Sequence, residues 1–437
     1  MIGTIKRIFL TLLLLSACAF VYAQEGAYGA YSPYSIYGIG DITKEGTAFN
    51  KGMGGTGIAT RNRRFINYLN PAAVTARDSL SFMADFGLAQ NNKVFRQGDM
   101  KSANNTFNIY DFVLSFPIYR SSAFMVGITP FSDVGYSFSS IEKDPEIIGN
   151  TGNIEYDSYG NGSVYQLFFG AGVTLWKNLS LGAEGIYYFG NIDKITNMNY
   201  SNSSFRSING GNEFNIHAFT GKLGVQYQQK IKGNVSMIVG ATYRLGTKMK
   251  GYSTEYRYAN LSNVSDTLRH RVDTLGASGL RIADEIGLGI SFKGGERWSA
   301  EFNYLRSSWN KSGFDGFSGL GITGESKFTS TASQSFRAGF EITPNRNDIR
   351  YFLRRCTYRA GVYYDQAYYK LDGNNVNSTG ITLGITLPVF RWYNGLSLGI
   401  DLGQKSSAKH NMIRERYAMF VVGFNIHDIW FQKQQYN

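Results

Sequence analysis

The stretch that decides the fold reads Leu396-Ser397-Leu398-Gly399-Ile400-Asp401-Leu402-Gly403, in which every second residue is apolar. The same period of two returns in several other stretches, among them 381–387 and 335–342. Because successive side chains of a β-strand point to opposite faces, each stretch has one apolar face and one polar face. Repeated along the chain, this pattern predicts a transmembrane antiparallel β-barrel, in which the apolar faces meet lipid.

The composition agrees with this fold class. The chain has 437 residues, of which 15% are aromatic, 51 are glycine and only 7 are proline. Long antiparallel strands with aromatic girdles at both membrane interfaces have this character. The formal charge of +12 has two possible explanations. It reflects lysines in surface turns and loops, or it serves to attract anionic lipid headgroups or carboxylate ligands. No basic helix or finger pattern points to nucleic acid.

The first 23 residues have the form of an export signal. Lys6 and Arg7 precede an apolar run, and cleavage is expected after Ala23. A rival interpretation takes residues 15–18 as a lipoprotein box, which would place a lipid on Cys18. The residues after Cys18 stay apolar, which favours cleavage after Ala23. Cys356 would then be the only cysteine of the mature chain, and no internal disulfide could form.

Fourteen strands are predicted after residue 78, with an uncertainty of about two because the stretch at 234–258 is long enough for two strands. They are placed at 79–90, 106–119, 122–140, 163–176, 178–192, 213–230, 234–258, 280–294, 297–308, 332–343, 354–370, 376–390, 393–405 and 416–430. Tight turns alternate with long connections rich in Asn, Ser, Gly and Asp: 91–105, 141–162, 193–212, 259–279, 309–331 and 406–415.

This alternation is typical of a bacterial outer-membrane barrel with short periplasmic turns and long outer loops. An even number of strands returns the C-terminus to the periplasm. The expected organisation is a signal peptide at 1–23, an N-terminal hatch or plug at 24–78, the barrel at 79–431 and a periplasmic tail at 432–437. Aromatic residues near the end of the last strand would lie close to the signal that the barrel-assembly machinery reads during biogenesis.

The face opposite the apolar one carries charges of both signs. These residues are Glu184, Lys222, Glu285, Glu301, Arg337, Glu341, Arg359, Asp365 and Asp401. Two interpretations remain open. The charges form an ion-paired, hydrated lumen that holds the wall rigid, or they form a polar track for a ligand headgroup.

Residues 24–78 do not alternate, and they are rich in glycine. The run Gly52-Met53-Gly54-Gly55-Thr56-Gly57 satisfies the dinucleotide pattern G-x-G-x-x-G, but no hydrophobic strand precedes it and no acidic residue follows at the required distance. Its physical content is a tight turn that allows positive φ and close backbone approach. The position of the segment ahead of the first strand is that of a plug folded back into the lumen.

Asn70-Pro71-Ala72 follows the glycine run, and together the two motifs give a resemblance. The arrangement resembles the FadL-like family of outer-membrane transporters for long-chain fatty acids and other hydrophobic compounds, which have a hatch with a G-M-G-G-x-G stretch and an N-P-A sequence ahead of fourteen strands. The stretch 34–41 is similar to the start of such barrels from Bacteroidetes-like bacteria. The resemblance implies that Gly52, Gly54, Gly55, Gly57, Asn70, Pro71 and Ala72 belong to the hatch.

Pro130 interrupts the third predicted strand, where a proline removes a ladder donor and belongs at a bulge or an edge. In the family that the chain resembles, a kink in the third strand opens the wall sideways. Gly127, Pro130, Asp133 and Gly135 look like that lateral opening. The alternative is an ordinary bulge near the rim.

The resemblance implies passive uptake of hydrophobic small molecules, through a lumen pocket and out sideways. Lys222, Arg337 and Arg359 are guessed, from charge alone, to meet a ligand headgroup. The alternative is a non-transporting barrel that acts as a partner or scaffold in a protein-secretion or surface-assembly complex. No catalytic motif, metal-ligand spacing or cofactor signature is found, and the four histidines are scattered. We expect no enzyme activity.

Overall fold

The structure, a computed structural model, describes residues 30–78, 80–119, 121–261, 264–321, 326–389, 395–406 and 412–429. The predicted signal peptide, the alternative at Cys18 and the predicted tail lie outside the described residues.

The described residues form twenty strands, three short α-helices and three 3₁₀ turns. The strands are β1 (Asp41–Ile42), β2 (Ser81–Gln97), β3 (Met100–Tyr119), β4 (Ser122–Ile141), β5 (Ile154–Leu175), β6 (Leu179–Tyr200), β7 (Ser207–Lys232), β8 (Val235–Arg244), β9 (Thr247–Lys248), β10 (Lys250–Leu261), β11 (Val264–Thr274), β12 (Arg281–Ile282), β13 (Glu285–Gly294), β14 (Trp298–Ser307), β15 (Phe328–Ser330), β16 (Ser333–Ile342), β17 (Thr357–Leu371), β18 (Asn374–Pro388), β19 (Gly395–Lys405) and β20 (Arg414–Ile429). The helices are α1 (Ala48–Lys51), α2 (Pro145–Thr151) and α3 (Phe352–Arg355), and the 3₁₀ turns are Pro33–Ile36, Pro71–Thr75 and Trp309–Lys311.

These strands close into an antiparallel barrel of fourteen wall strands, as predicted. Closure comes from β20, which pairs with β2 from Ser81 opposite Ile429 to Arg96 opposite Arg414. β8 and β10 follow each other along β7, so the stretch that was long enough for two strands occupies one position in the wall. β11 and β13 share the next position in the same way. Closure leaves the sheet without the two free edges that an open sheet would expose to lipid.

The alternation of apolar and polar residues in the sequence matches the alternation of outward-facing and inward-facing side chains in the wall. In β19, Leu398 and Leu402 are exposed on the outside while Ser397 and Asp401 are buried. Apolar side chains are exposed in the same outward register on the other wall strands, among them Phe169, Leu223, Leu288, Phe340, Val362 and Leu383. Such an outward apolar band is what a bilayer requires of a barrel. No helix within the described residues has the length and apolar character needed to cross a membrane.

The two ends of the barrel differ. One end, the turn end, carries short connections such as 233–234 and 295–297, and the other, the loop end, carries α2 and the connection between β14 and β16. Several predicted long loops are wrong in extent, because strands fill most of them. β2 and β3 meet across residues 98–99 within the predicted loop 91–105, and β10 and β11 pair through most of 259–279. Beyond the apolar band, polar residues continue the strand ladders outside the membrane. There an alternation of apolar and polar residues is not required.

The N-terminal segment, residues 30–78, lies inside the barrel. Every residue of 46–60 and 65–74 is buried. The 3₁₀ turn Pro71–Thr75 contacts β4 to β7, and α1 contacts β18 to β20, so the segment touches wall strands on opposite sides of the lumen.

A cluster of apolar side chains, the mouth cluster, closes the loop end. It consists of Tyr34, Trp309, Phe314, Leu320, Tyr368 and Tyr369, all buried. The rings of Trp309 and Tyr368 lie 5.0 Å apart, which is a packing distance for aromatic pairs. Gly38 in the N-terminal segment donates its backbone N–H to the carbonyl of Leu320 at 2.8 Å. The connection after β14 is therefore folded onto the segment over the lumen.

Candidate functional site

The glycine run forms a tight turn against the wall. Gly54 and Gly55 both have positive φ, 71° and 78°, which only glycine adopts without strain. The backbone N–H of Gly54 donates to the hydroxyl of Thr382 on β18 at 2.8 Å. Asn50 closes the turn, because its side-chain amide donates to the carbonyl of Thr56 at 2.8 Å. The motif therefore fixes a bend in the segment and joins it to the barrel.

Asn70 links three parts of the molecule. Its side-chain oxygen accepts the backbone N–H of Ala72 at 3.0 Å and caps the 3₁₀ turn that Pro71 begins. Its amide donates to the carbonyl of Ile58 at 2.8 Å and to that of Val225 on β7 at 3.2 Å. Asn70 is fully buried. The side chain thus holds two stretches of the segment together and ties both to the wall.

Inward-facing glycines of the wall provide the space for this segment. A Cβ placed on Gly361 would lie 2.2 Å from the nitrogen of Gly54, and one on Gly224 would lie 2.1 Å from the side-chain oxygen of Asn70. Several further wall glycines meet the segment as closely: Gly182, Gly240 and Gly339. No larger residue fits at these positions without displacing the segment. The wall is shaped around the N-terminal segment.

Glu45 of the segment meets two wall cations. Its carboxylate lies 3.7 Å from Lys222 and 3.5 Å from Arg244, and it accepts the amide of Gln166 at 3.2 Å. Burial works against its charge, but Lys222 and Arg244 outweigh burial and hold the pKa of Glu45 below its ordinary value. Arg244 also pairs with Glu285 at 3.4 Å. A carboxylate of the segment thus completes a charge network that the wall begins.

Lys44 makes the opposite contact on the other side of the lumen. Its ammonium lies 3.3 Å from Asp401 and 3.8 Å from Asp365, and 3.0 Å from the centre of the Tyr363 ring. Burial works against this charge as well, but Tyr417 and the two aspartates outweigh it and raise the pKa of Lys44. Neighbouring residues of the segment therefore carry opposite charges to opposite parts of the wall.

Asp41 adds a third ion pair near the loop end. It pairs with Lys405 of β19, and this cation, followed by Lys93, outweighs burial and holds the pKa of Asp41 below its ordinary value. Lys93 itself lies 2.7 Å from Glu415, which also accepts the hydroxyl of Ser32 at 2.7 Å. These ion pairs hold the segment in one position, because removing either partner would leave an unpaired charge inside the protein, which is strongly unfavourable.

The residues guessed to meet a headgroup all face the lumen. Lys222 is paired with the segment as described, Arg337 lies 3.5 Å from Asp365, and Arg359 lies 2.8 Å from Glu341. Lys222 and Arg337 line an internal cavity, whereas Arg359 does not. Their assignment to a headgroup stays a prediction, and the structure assigns each of them a carboxylate within the protein.

The cavity between the N-terminal segment and the wall has a volume of about 340 Å³. Apolar groups such as Ile58, Phe131 and Trp309 line it together with many charged side chains. The charged lining residues are Asp41, Lys44, Glu45, Lys51, Lys93, Asp133, Lys222, Arg244, Glu285, Arg337, Asp365, Asp401, Lys405 and Glu415. Drug-sized ligands occupy cavities of about 300 to 1,000 Å³, usually with few charged groups. The space suffices for a small ligand, but its charge content is unusual.

A seam interrupts the wall between β3 and β4. Their ladder ends where Phe112 pairs with Ile128. Beyond this point β3 continues to Met100 paired with β2, and β4 continues to Ile141 paired with β5. Within the described residues no ladder joins the two strands over this part of their length. The seam lies beside Pro130, which sits at a register shift between β4 and β5.

The N-terminal segment occupies the β4 edge of the seam. β1 pairs with β4, with Asp41 opposite Asp133. Ser32 donates its backbone N–H to the carbonyl of Gly135 at 2.7 Å. Gly127 lies on the paired part of β4, opposite Val113. The four residues predicted to mark a lateral opening therefore follow one another along the strand that borders the seam, and their role as an opening stays a prediction.

The sequence did not single out the segment's own charges. Asp41, Lys44 and Glu45 were not named as site residues, although they meet the wall charges that were. The sequence did contain a clue to these ion pairs. The inner face of the wall carries charges of both signs, and the segment offers a charge of each sign in the neighbouring residues Lys44 and Glu45. The wall glycines that meet the segment, such as Gly224 and Gly361, were likewise not named as site residues.

These features define the class of protein: an outer-membrane-type β-barrel with residues 30–78 packed against the inner face of its wall. A family model described as BamG matches residues 4–437, and the chain belongs to the BamG family. A comparison with curated protein sequences found no match.

Solved structures share the fold at low sequence identity. The toluene transporter TodX of P. putida has a TM-score of 0.59 at 14% identity, with 90% of this chain and 100% of that chain covered. The toluene transporter TbuX of Ralstonia pickettii has a TM-score of 0.57 at 16% identity, with 87% and 98% covered. A FadL homologue of Pseudomonas aeruginosa has a TM-score of 0.54 at 11% identity, with 88% and 98% covered. The predicted resemblance to the FadL-like fold is confirmed, and the resemblance to Bacteroidetes barrels stays a prediction.

Proposed function

We propose that this barrel is a non-transporting partner subunit of an outer-membrane assembly complex. Its role is to present a rigid barrel to other proteins. The N-terminal segment in the lumen stabilises that barrel, and the lumen does not conduct solutes.

The observation that carries this proposal is that the N-terminal segment is held fast inside the lumen. The N-terminal segment meets the wall through ion pairs on opposite sides, and the mouth cluster covers it at the loop end. A conduit for solutes needs a segment that yields, and buried ion pairs and seated glycines oppose movement. Several charges of the remaining cavity are already paired within the protein, as Lys222 is with Glu45 at 3.7 Å.

The family supports the same proposal from another side. The name BamG suggests involvement in barrel assembly. A partner role needs no catalytic group and no ligand.

The test is depletion of the protein in its native cells. We expect the folded fraction of other outer-membrane barrels, measured by heat-modifiable mobility on gels, to fall as the protein is depleted. K222M/R337M neutralises two of the cavity cations with side chains of similar length. Once its heat-modifiable mobility shows that it is folded, it is expected to restore the folding of the other barrels. Normal folding of the other barrels after depletion, with loss of growth on a hydrophobic compound, would reject the proposal.

A second candidate function is passage of hydrophobic small molecules. Two observations favour it: a cavity of about 340 Å³ inside the barrel, and the seam beside Pro130, through which an apolar molecule could pass into lipid. The solved structures with the same fold include toluene transporters. In this candidate Lys222 and Arg337 meet a carboxylate of the ligand, as a fatty acid would supply.

A titration decides the second candidate. The purified barrel, stripped of lipid, is titrated with a fluorescent long-chain fatty acid. Saturable binding that is weakened in K222M/R337M supports passage. Replacing residues 127–135 with regular strand sequence should then slow uptake and leave binding intact. Absence of saturable binding in the wild type removes this candidate.

A further inference from the structure

The turn between β16 and β17 exposes apolar side chains at the turn end of the barrel. Ile349 is 93% exposed and Leu353 is 64% exposed, with Tyr351 and Phe352 exposed between them. A cluster of this kind is unfavourable in water, since each buried CH₂ is worth about 0.8 kcal/mol. Exposed apolar groups gathered in one short turn indicate contact with something apolar.

The turn holds this shape by its own hydrogen bonds. The carboxylate of Asp348 accepts the backbone N–H groups of Arg350 at 2.9 Å and Tyr351 at 2.8 Å. Its second oxygen lies 3.5 Å from the guanidinium of Arg354. The exposed side chains are therefore presented by an ordered backbone.

The turn lies against the lipid-facing side of the wall. Tyr358 of β17 donates its hydroxyl to the carbonyl of Leu353 at 2.9 Å. Tyr358 belongs to the outward row of β17, which continues with Ala360 and Val362, both exposed. The apolar side chains of the turn thus extend the apolar band of the barrel at the bilayer boundary.

Arginines accompany these apolar groups. The guanidinium carbon of Arg354 lies 4.9 Å from the centre of the Tyr351 ring, and that of Arg355 lies 5.1 Å from the centre of the Phe352 ring. Arg350 is exposed and has no carboxylate partner among the residues that the structure describes. Asp348 is the only acidic residue of 344–356, against four arginines. The turn therefore carries a net positive charge, and anionic lipid headgroups attract such segments.

We propose that the turn 344–356 is a membrane-interface anchor that inserts Ile349 and Leu353 into the leaflet at the turn end and binds the phosphate of an anionic phospholipid through Arg350 and Arg354. Continuity with the lipid-facing wall favours lipid over an acidic protein as the occupant. This inference is independent of the function proposed above.

The test uses the full chain in detergent micelles and measures retained lipid by native mass spectrometry. Phosphatidylglycerol is offered against phosphatidylcholine. We expect the wild type to prefer phosphatidylglycerol. We expect R350Q/R354Q to retain about thirtyfold less of it, because the two arginines each contribute about 1 kcal/mol at a membrane surface. The control R257Q/R269Q removes two exposed arginines that pair with Glu255 near the loop end, and it should retain phosphatidylglycerol normally.

Three results would overturn the inference: equal retention of both lipids by the wild type, unchanged retention by R350Q/R354Q, or complete displacement of lipid by inorganic phosphate. A second variant, I349S/L353S, keeps every charge and should also retain less phosphatidylglycerol. Unchanged retention in that variant would contradict the insertion of the apolar side chains. Heat-modifiable mobility shows that each variant is folded before it is compared.

Discussion

At the scale of single residues, Gly361 shows how closely the wall and the segment are matched. A methyl group at this position would lie 2.2 Å from the nitrogen of Gly54. We predict that Gly361→Ala destabilises the seating of the segment by about 1 to 3 kcal/mol, the range found for overpacked sites. Limited proteolysis within residues 30–78 measures this. Gly399→Ala is the control, because a Cβ there makes only ordinary contacts at 3.6 Å. Equal protease resistance of the two variants would show that the close approach of Gly361 to Gly54 does not contribute to the stability of the segment.

Asn70 offers a second test at the same scale. Asn70→Ala removes one cap and two donated hydrogen bonds from a buried site. We predict faster proteolysis of the segment, from a loss of about 1 to 3 kcal/mol, with an unchanged heat-modifiable barrel. Asn70→Asp keeps the cap oxygen but places a buried carboxylate oxygen against the carbonyls of Ile58 and Val225, so its segment should be cleaved at least as fast as that of Asn70→Ala. A wild-type cleavage rate in Asn70→Ala would contradict the role assigned to this side chain.

Glu45 and Asp41 give the segment a dependence on pH. The pKa of each is held below its ordinary value, which is 4.5 for Glu45 and 3.8 for Asp41. The stabilisation is therefore complete above these values and is lost as the pH falls through the lower pKa values of the folded protein. We predict that proteolysis of the segment accelerates below about pH 4. In Glu45→Gln the segment should already be looser at pH 7 and should change less on acidification; an identical pH profile would contradict the pairing.

At the scale of elements, the N-terminal segment is the part that distinguishes a filled barrel from an open one. We predict that deleting residues 48–72 leaves a folded, heat-modifiable barrel and raises its ion conductance in planar bilayers. The reason is that the wall is closed by its own ladder, from β2 round to β20, whereas the deleted residues pack inside it and contribute no wall strand. Conductance equal to that of the wild type would mean that these residues do not block the lumen.

The elements also show what the sequence reveals and what it leaves hidden. Alternation in stretches such as 396–403 predicted the strands, because lipid imposes a period of two on every wall strand. Outside the apolar band nothing imposes it, so the hairpin at 98–99 was read as a loop. The glycine and N-P-A motifs located the segment, but its partners were hidden. Which wall charge Lys44 or Glu45 meets depends on the path of a chain with no periodic pattern.

At the scale of the whole molecule, the structure is a barrel closed around its own N-terminal residues and covered at the loop end by the mouth cluster. The FadL-like fold is shared with proteins named as toluene transporters, at identities of 14% and 16%. Fold alone does not carry function at that distance. The segment held inside the lumen, its ion pairs with the wall and the membership of the BamG family together favour a partner role.

The measurement that tests this most directly is the mass and composition of the particle that contains the protein in native membranes, purified in mild detergent and determined by native mass spectrometry. The account predicts a particle larger than the 48.7 kDa chain, with other outer-membrane assembly proteins present in fixed stoichiometry. A particle made of this chain alone, carrying a bound hydrophobic small molecule, would contradict the account and establish the transport function in its place.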